Sequence, residues 1–222
     1  MNENKIIELK NVRKSYKRGI EEVHAIDGVD LDISAGEFIS VIGPSGSGKT
    51  TFLNIIGCVD RPTGGTVRID SRDVTHEKEE SLAKIRKETI GFVFQQFFLI
   101  PTLSVLENVQ VPGMFARNKK RIERAKELIE LVGLTKRIDH RPSQLSGGEM
   151  QRAAIARSLI NSPKILLADE PTGNLDIKNA HMIYDIFEQL NARGLTVVVV
   201  THNTKLAEQS RRIIRMEDGK IS

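Results

Sequence analysis

The sequence holds no tryptophan, two tyrosines and a single cysteine in 222 residues, and only 5% of it is aromatic. One cysteine, Cys58, excludes an internal disulfide, and no paired Cys or His spacing offers zinc a ligand set. Cys58 therefore reads as a small buried apolar residue. No apolar run approaches the roughly 20 residues that cross a bilayer as a helix. The longest candidates, ILLA from Ile165 and LTVVVV from Leu195, have the length of strands. The N-terminal MNENKIIELK lacks the basic start and apolar stretch of a signal peptide. Charge of one sign is scarce too: 33 Lys and Arg stand against 29 Asp and Glu. The excess is thinly spread with no dense basic arm, so no nucleic-acid partner is expected. What is left is a cytosolic chain, long enough for one large domain with an ample core, that cannot itself be a transport channel.

What is present begins with strands. Phe38–Ile42, Lys164–Ala168 and Thr196–Val200 are continuous β-branched or apolar runs, as in parallel strands buried on both faces. Each is followed by a loop and a plausible helix, the alternation of an α/β sheet. The first 35 residues alternate only partly, at Ile6–Leu9 and Ala25–Ile33, which suits an antiparallel edge sheet that Thr66–Asp70 could join. From about 97 to 160 the character turns helical. Ser104 and Glu107 have capping-box spacing. Ile122, Ala125, Leu128, Ile129 and Val132 form one apolar stripe ending at Gly133, with Arg121, Arg124 and Lys126 on a solvated face.

The chemistry starts after Phe38–Ile42. Gly43, Pro44, Ser45, Gly46, Ser47, Gly48, Lys49 and Thr50 fit the phosphate-loop pattern, between a strand and a helix as that motif requires. The glycines permit a tight loop whose N–H groups converge on phosphate oxygens, at the positive end of the following helix. Lys49 neutralises β- and γ-phosphates, Thr50 offers its hydroxyl to Mg²⁺, and Thr51 is available to a neighbouring phosphate. Asp169 and Glu170 end a second strand, where carboxylates can reach the loop of an adjacent strand. Asp169 is the expected Mg²⁺ partner through water. Glu170 is the candidate that orients or deprotonates an attacking water.

Leu145, Ser146, Gly147, Gly148 and Glu149 open a further helix. The Ser146 hydroxyl, two glycine N–H groups and the helix dipole make an anion site without a lysine. Such a site is too weak to hold ATP alone but suited to close over a γ-phosphate held elsewhere.

The order of these motifs resembles the nucleotide-binding subunit of ATP-binding-cassette (ABC) proteins, over essentially the whole chain. Met150, where Gln is commoner, is one small departure. The resemblance implies an α/β P-loop NTPase fold with a parallel core sheet, an N-terminal antiparallel β-subdomain and an inserted α-helical subdomain. It implies a single domain over 1–222, with 1–96 and 161–222 as the ATP-binding core and about 97–160 as the helical subdomain. Two copies would pack head to tail, so that Leu145–Glu149 of one close over ATP and Mg²⁺ held by the other. Asp176 matches the D-loop aspartate that touches the opposite subunit, and His202 the switch histidine at the γ-phosphate. Gln95, with Gln96 adjacent, matches the glutamine that contacts Mg²⁺ or the attacking water. Tyr16 matches the aromatic residue that stacks on adenine.

A narrower likeness, in Asp169–Asp176 and Gln95–Pro101, is to the subgroup serving lipoprotein release, macrolide or peptide export, and cell-division complexes. It implies an integral membrane permease as partner, export or mechanotransmission, and a place on the cytoplasmic face of the membrane. An alternative class is a nucleotide-gated clamp on DNA or ribosomes. Repair members of that class carry long coiled coils for which the interval from Lys49 to Ser146 is too short, and translation members join two cassettes in one chain.

Overall fold

The computed structural model describes residues 4–19, 21–117 and 119–222, with the backbone alone at position 18. The first three of the ten N-terminal residues read for a leader lie outside the described residues. In chain order come β1 (Lys5–Arg18), β2 (Glu21–Ser34), β3 (Phe38–Ile42), α1 (Lys49–Ile56), β4 (Gly64–Ile69) and β5 (Arg72–Asp73). Then follow α2 (Glu79–Thr89), β6 (Ile90–Phe94), α3 (Val105–Phe115), α4 (Arg121–Leu131) and α5 (Gly147–Ser158). The last are β7 (Ile165–Asp169), α6 (Ile177–Ala192), β8 (Thr196–Thr201), α7 (Thr204–Ala207), β9 (Arg212–Glu217) and β10 (Lys220–Ile221).

Two sheets organise these elements. One is antiparallel in the order β2-β1-β4-β5, and Thr66 does join it, opposite Lys10. The other runs β10-β9-β3-β8-β7-β6 and is parallel from β9 to β6. Its central strands are apolar throughout because each face meets a different core. Ile39, Val41, Ile165, Leu167, Val198 and Val200 point to a core shared with the antiparallel sheet, α1 and α2. Phe38, Leu166, Ala168, Val197 and Val199 point to one shared with α3 to α6. With about 1.5–3 kcal/mol for each large apolar side chain buried, two-sided burial makes these strands the most constrained part of the chain.

Two local readings need correction. The α4 stripe buries Ala125, Leu128 and Ile129 with Val132 just beyond it, but Ile122, in the first turn, is 46% exposed. The strand expected from Lys164 runs from Ile165 to Asp169. Helix α2 was not expected at all: in a segment dense with Glu, Lys and Arg its buried residues are only Leu82, Ile85 and Thr89. The Ser104–Glu107 capping box is present, with both reciprocal hydrogen bonds made.

Candidate functional site

Sheet order brings the motifs together. Strand β3 is flanked by β8, and β8 by β7, all parallel, so the phosphate loop, His202 and the Asp169–Glu170 pair emerge from one edge. They surround an open cleft of about 520 Å³, within the range of small-molecule sites. Ser45, Gly46, Gly48, Lys49, Thr50 and Thr51 line it from the loop and α1, and Gln95, Asp169, Glu170 and His202 from the other side. Val23, His24 and Ala25 of β2 line it too, which no motif announced. Only Ala25 carried a sequence signal, as the first residue of the partly alternating Ala25–Ile33 stretch. Gly43, Pro44 and Ser47 brace the loop from behind: the Lys49 ammonium donates to the carbonyls of Gly43 (2.7 Å) and Pro44 (2.8 Å). Gly48 has φ 101°, and a Cβ there would lie 2.2 Å from the Ala25 carbonyl oxygen. Only glycine fits where the loop crosses β2.

The Thr50 hydroxyl stands 3.5 Å from Asp169 Oδ1. Burial pushes the Asp169 carboxyl above its ordinary range, and the Glu170 charge adds to this, against the Thr50 hydrogen bond and Lys49. Two hard oxygen ligands of this kind, one of them short of countercharge, suit a small divalent cation. Glu170 has a left-handed backbone, φ 45°, which turns its side chain out of the strand line. Its Oε1 lies 3.0 Å from His202 Nδ1, and its Oε2 accepts from the His202 backbone N–H at 3.4 Å.

Gln95 reaches the cleft rim, and Gln96 is not among the residues lining it. The Gln95 amide donates to Asn174 Oδ1 (3.3 Å), and Asn174 Nδ2 donates to the Gln95 carbonyl (3.2 Å). Tyr16 is not among the residues lining the cleft. It pairs with Val23 in the β1–β2 register, its hydroxyl donates to Asp60 (2.7 Å), and Lys14 stands 4.9 Å from its ring centre. The hydroxyl is thus committed to the protein, although the residue as a whole is 40% exposed.

None of Leu145, Ser146, Gly147, Gly148 and Glu149 lines the cleft of its own chain. Ser146 is the N-cap of α5, accepting from the Glu149 N–H, and the Glu149 carboxylate accepts from the Ser146 N–H (2.8 Å) and hydroxyl (3.0 Å). Arg137 holds the other Glu149 oxygen at 2.9 Å. The Ser146 N–H, then Arg137, draw the Glu149 carboxyl down to about 2. Leu145 is mostly buried and anchors the turn in the helical core. Asp176 caps α6 by accepting from the Asn179 N–H (2.9 Å) and side chain (2.6 Å). Asn179 in turn presses on Gly148, where a Cβ would lie 2.2 Å from Asn179 Oδ1.

Comparison with known proteins adds to this geometry. Residues 26–173 match the ABC transporter family. The chain is 50% identical over 218 residues to the ABC transporter ATP-binding protein YknY of Bacillus subtilis, covering 97% of this chain and 95% of that protein. It is 45% identical to the macrolide export ATP-binding/permease protein MacB of Bdellovibrio bacteriovorus, covering 97% of this chain but 33% of that longer protein. Among solved structures it is similar to the dimeric ATP-binding cassette MJ0796 in a post-hydrolysis state bound to ADP and Pi. The TM-score is 0.90 at 48% identity, over 97% of this chain and 96% of the other.

Proposed function

This chain belongs to the ABC transporter family, and from that premise we propose that it is the ATP-hydrolysing motor subunit of a membrane transporter. One observation carries the reading. The Lys49 loop, Thr50, Asp169, Glu170, Gln95 and His202 meet in one cleft, while the Ser146 anion site of the same chain lies off it. A site divided in this way is completed by a second copy.

Lys49 and the loop N–H groups bind the phosphates, with Thr51 beside them. Val23 and Ala25 of β2 border the space for the base, and Tyr16, paired with Val23 in the β1–β2 register, offers its ring at the margin of that space. Glu170 orients the attacking water and takes its proton as the oxygen joins the γ-phosphorus, and the bond to the ADP oxygen breaks. Gln95 positions that water from the rim. His202 steadies Glu170 and stands ready for the γ-phosphate. Thr50 and Asp169 are the residues that would hold Mg²⁺, with Gln95 nearby, and Mg²⁺ would supply charge neutralisation at the phosphates. Ser146 and the Gly147 and Gly148 N–H groups close over the nucleotide of the partner copy, with Asp176 at the same junction.

Residues 1–96 and 161–222 then act as the ATP-binding core, and about 97–160 as the helical subdomain. ATP draws two copies together and hydrolysis lets them part. The permease partner docks its cytoplasmic helix beside α3, where Phe115 is 77% exposed next to a groove of about 370 Å³. No described helix is long and apolar enough to cross a membrane, which suits a subunit held peripherally on the cytoplasmic face. Likeness to the export protein MacB favours export, lipoprotein extraction or mechanotransmission over a clamp on DNA or ribosomes. The deciding experiment is Glu170→Gln. ATP binding is expected to persist, turnover to fall about 100-fold or more, and an ATP-dependent dimer to accumulate on size exclusion. Wild-type turnover in that variant would remove Glu170 from the mechanism.

A further inference from the structure

Gln151 is the one fully buried glutamine among the described residues, and it sits inside α5, the helix that Ser146 caps. A buried amide that only filled space would be replaced by Leu or Met at no loss. This one spends both of its N–H donors on two distant backbone carbonyls. Nε2 donates to the carbonyl of Phe94 at 3.1 Å and to that of Pro171 at 2.6 Å. Phe94 immediately precedes Gln95, and Pro171 immediately follows Glu170. The amide orientation follows from chemistry, because the flipped group would set its oxygen against two carbonyl oxygens. Its Oε1 is buried and meets no donor among the described residues. Further along α5, Arg157 donates to the carbonyls of Phe97 (2.9 Å) and Phe98, fastening the segment after Gln95 to the same helix.

We propose that Gln151 is a positioning residue for hydrolysis: a strut from α5 that fixes the backbone on either side of the cleft, beside Gln95 and beside Glu170. The inference rests on the reading of Gln95 and Glu170 as hydrolytic residues. It adds a direction. The N-terminus of α5 carries Ser146, which serves the nucleotide of the other copy, whereas Gln151 serves the chain's own cleft. One rigid helix therefore touches both sites of a dimer, and the geometry of each site depends on the helix that senses the other. A strut of this kind acts through the backbone, so its removal displaces Gln95 and Glu170 without touching the Lys49 loop.

The test uses Gln151→Met, which keeps the volume and removes both donors. A limiting amount of an active chain is mixed with excess Glu170→Gln chain, so that each active Glu170 pairs with an inactive partner. Wild type as the limiting chain sets the reference rate, read as the first turnover because the Glu170→Gln partner keeps its own ATP and holds the mixed dimer closed afterwards. With Gln151→Met as the limiting chain, a fall of about 10- to 100-fold is expected, as for a small misplacement of catalytic groups, with ATP affinity unchanged. With wild type limiting and Gln151→Met added to the Glu170→Gln chain, the rate should stay within about twofold of the reference, since that partner lends only its Ser146 anion site. Equal losses in the two mixtures, a loss only in the second, or no loss in the first would overturn the strut. An inactive reference mixture, or an active Glu170→Gln homodimer, would instead strike the functional reading itself. If Gln151→Met does not fold, Gln151→Glu replaces it. Its ionised carboxylate repels both carbonyls while its neutral form can donate to one, so its rate relative to wild type should rise as pH falls. A flat ratio would overturn the proposal.

Discussion

His202 Nδ1 lies 3.0 Å from Glu170 Oε1, and the His202 backbone N–H reaches the other carboxylate oxygen at 3.4 Å. The two residues sit just beyond neighbouring parallel strands, β7 and β8, whose register pairs Asp169 with Val200. The histidine therefore meets the carboxylate before it meets any phosphate, and one side chain can serve both. For His202→Ala, turnover should fall about 100-fold or more, with ATP affinity changed only a few-fold. Steady-state kinetics beside equilibrium ATP binding measure both. An unchanged kcat would show that Glu170 needs no support from this ring.

Ser146→Arg places a cation and a bulky chain at an anion site that lies off the chain's own cleft. ATP binding to the isolated subunit should survive, whereas ATP-driven dimerisation and hydrolysis should vanish. The change also deletes the N-cap of α5, worth about 1 kcal/mol, so Ser146→Ala is the control for helix stability. Normal hydrolysis by the arginine variant would mean that the site is complete within one chain.

Gly148→Ala tests the closeness of α5 and α6. The new methyl would lie 2.2 Å from Asn179 Oδ1, and Asn179 cannot swing away without giving up its 2.6 Å bond to Asp176. Overpacking costs about 1–3 kcal/mol, against about 1 kcal/mol regained from the better helix propensity of alanine. The net is a lower Tm by thermal denaturation, by about 2–4 °C for each kcal/mol in a chain of this size. Adding Asn179→Ala should recover part of the loss. An unshifted Tm in the single variant would show that the junction is loose.

Asp169→Asn should stabilise the ligand-free protein while abolishing turnover. The Asp169 carboxyl titrates above its ordinary value because burial disfavours its charge. In the window between its unfolded and folded values the folded state binds more protons, so stability falls as pH rises through that window and stays lowered above it. The neutral amide does not carry this cost. A Tm above wild type at pH 7, with the advantage shrinking as pH drops toward 4, is the expected result. A lower Tm at pH 7 would show that the Thr50 hydrogen bond outweighs burial.

Strands β3, β7 and β8 were legible because two-sided burial writes itself as an unbroken apolar run, and the capping box at Ser104 because three-residue spacing is local. Helix α2 was illegible since three buried residues in a charged segment leave no stripe. Ile122 fits its stripe by spacing, yet the core ends before the first turn of α4 reaches it. The cleft was legible where contiguous motifs build it, at Gly43–Thr51 and Asp169–Glu170. It was illegible at Val23–Ala25, whose place depends on how the antiparallel sheet folds over the loop.

The family and the phosphate loop were determined by sequence alone, because each rests on residues adjacent in the chain whose chemistry needs that adjacency. Only the tertiary structure decided what those residues lean on. His202 on Glu170, Asn179 on Gly148, Asn174 on Gln95, and Gln151 on the carbonyls beside Gln95 and Glu170 all join segments far apart in sequence. No periodicity or spacing records such pairs, since they arise when strand order and helix packing bring separate elements within hydrogen-bond range.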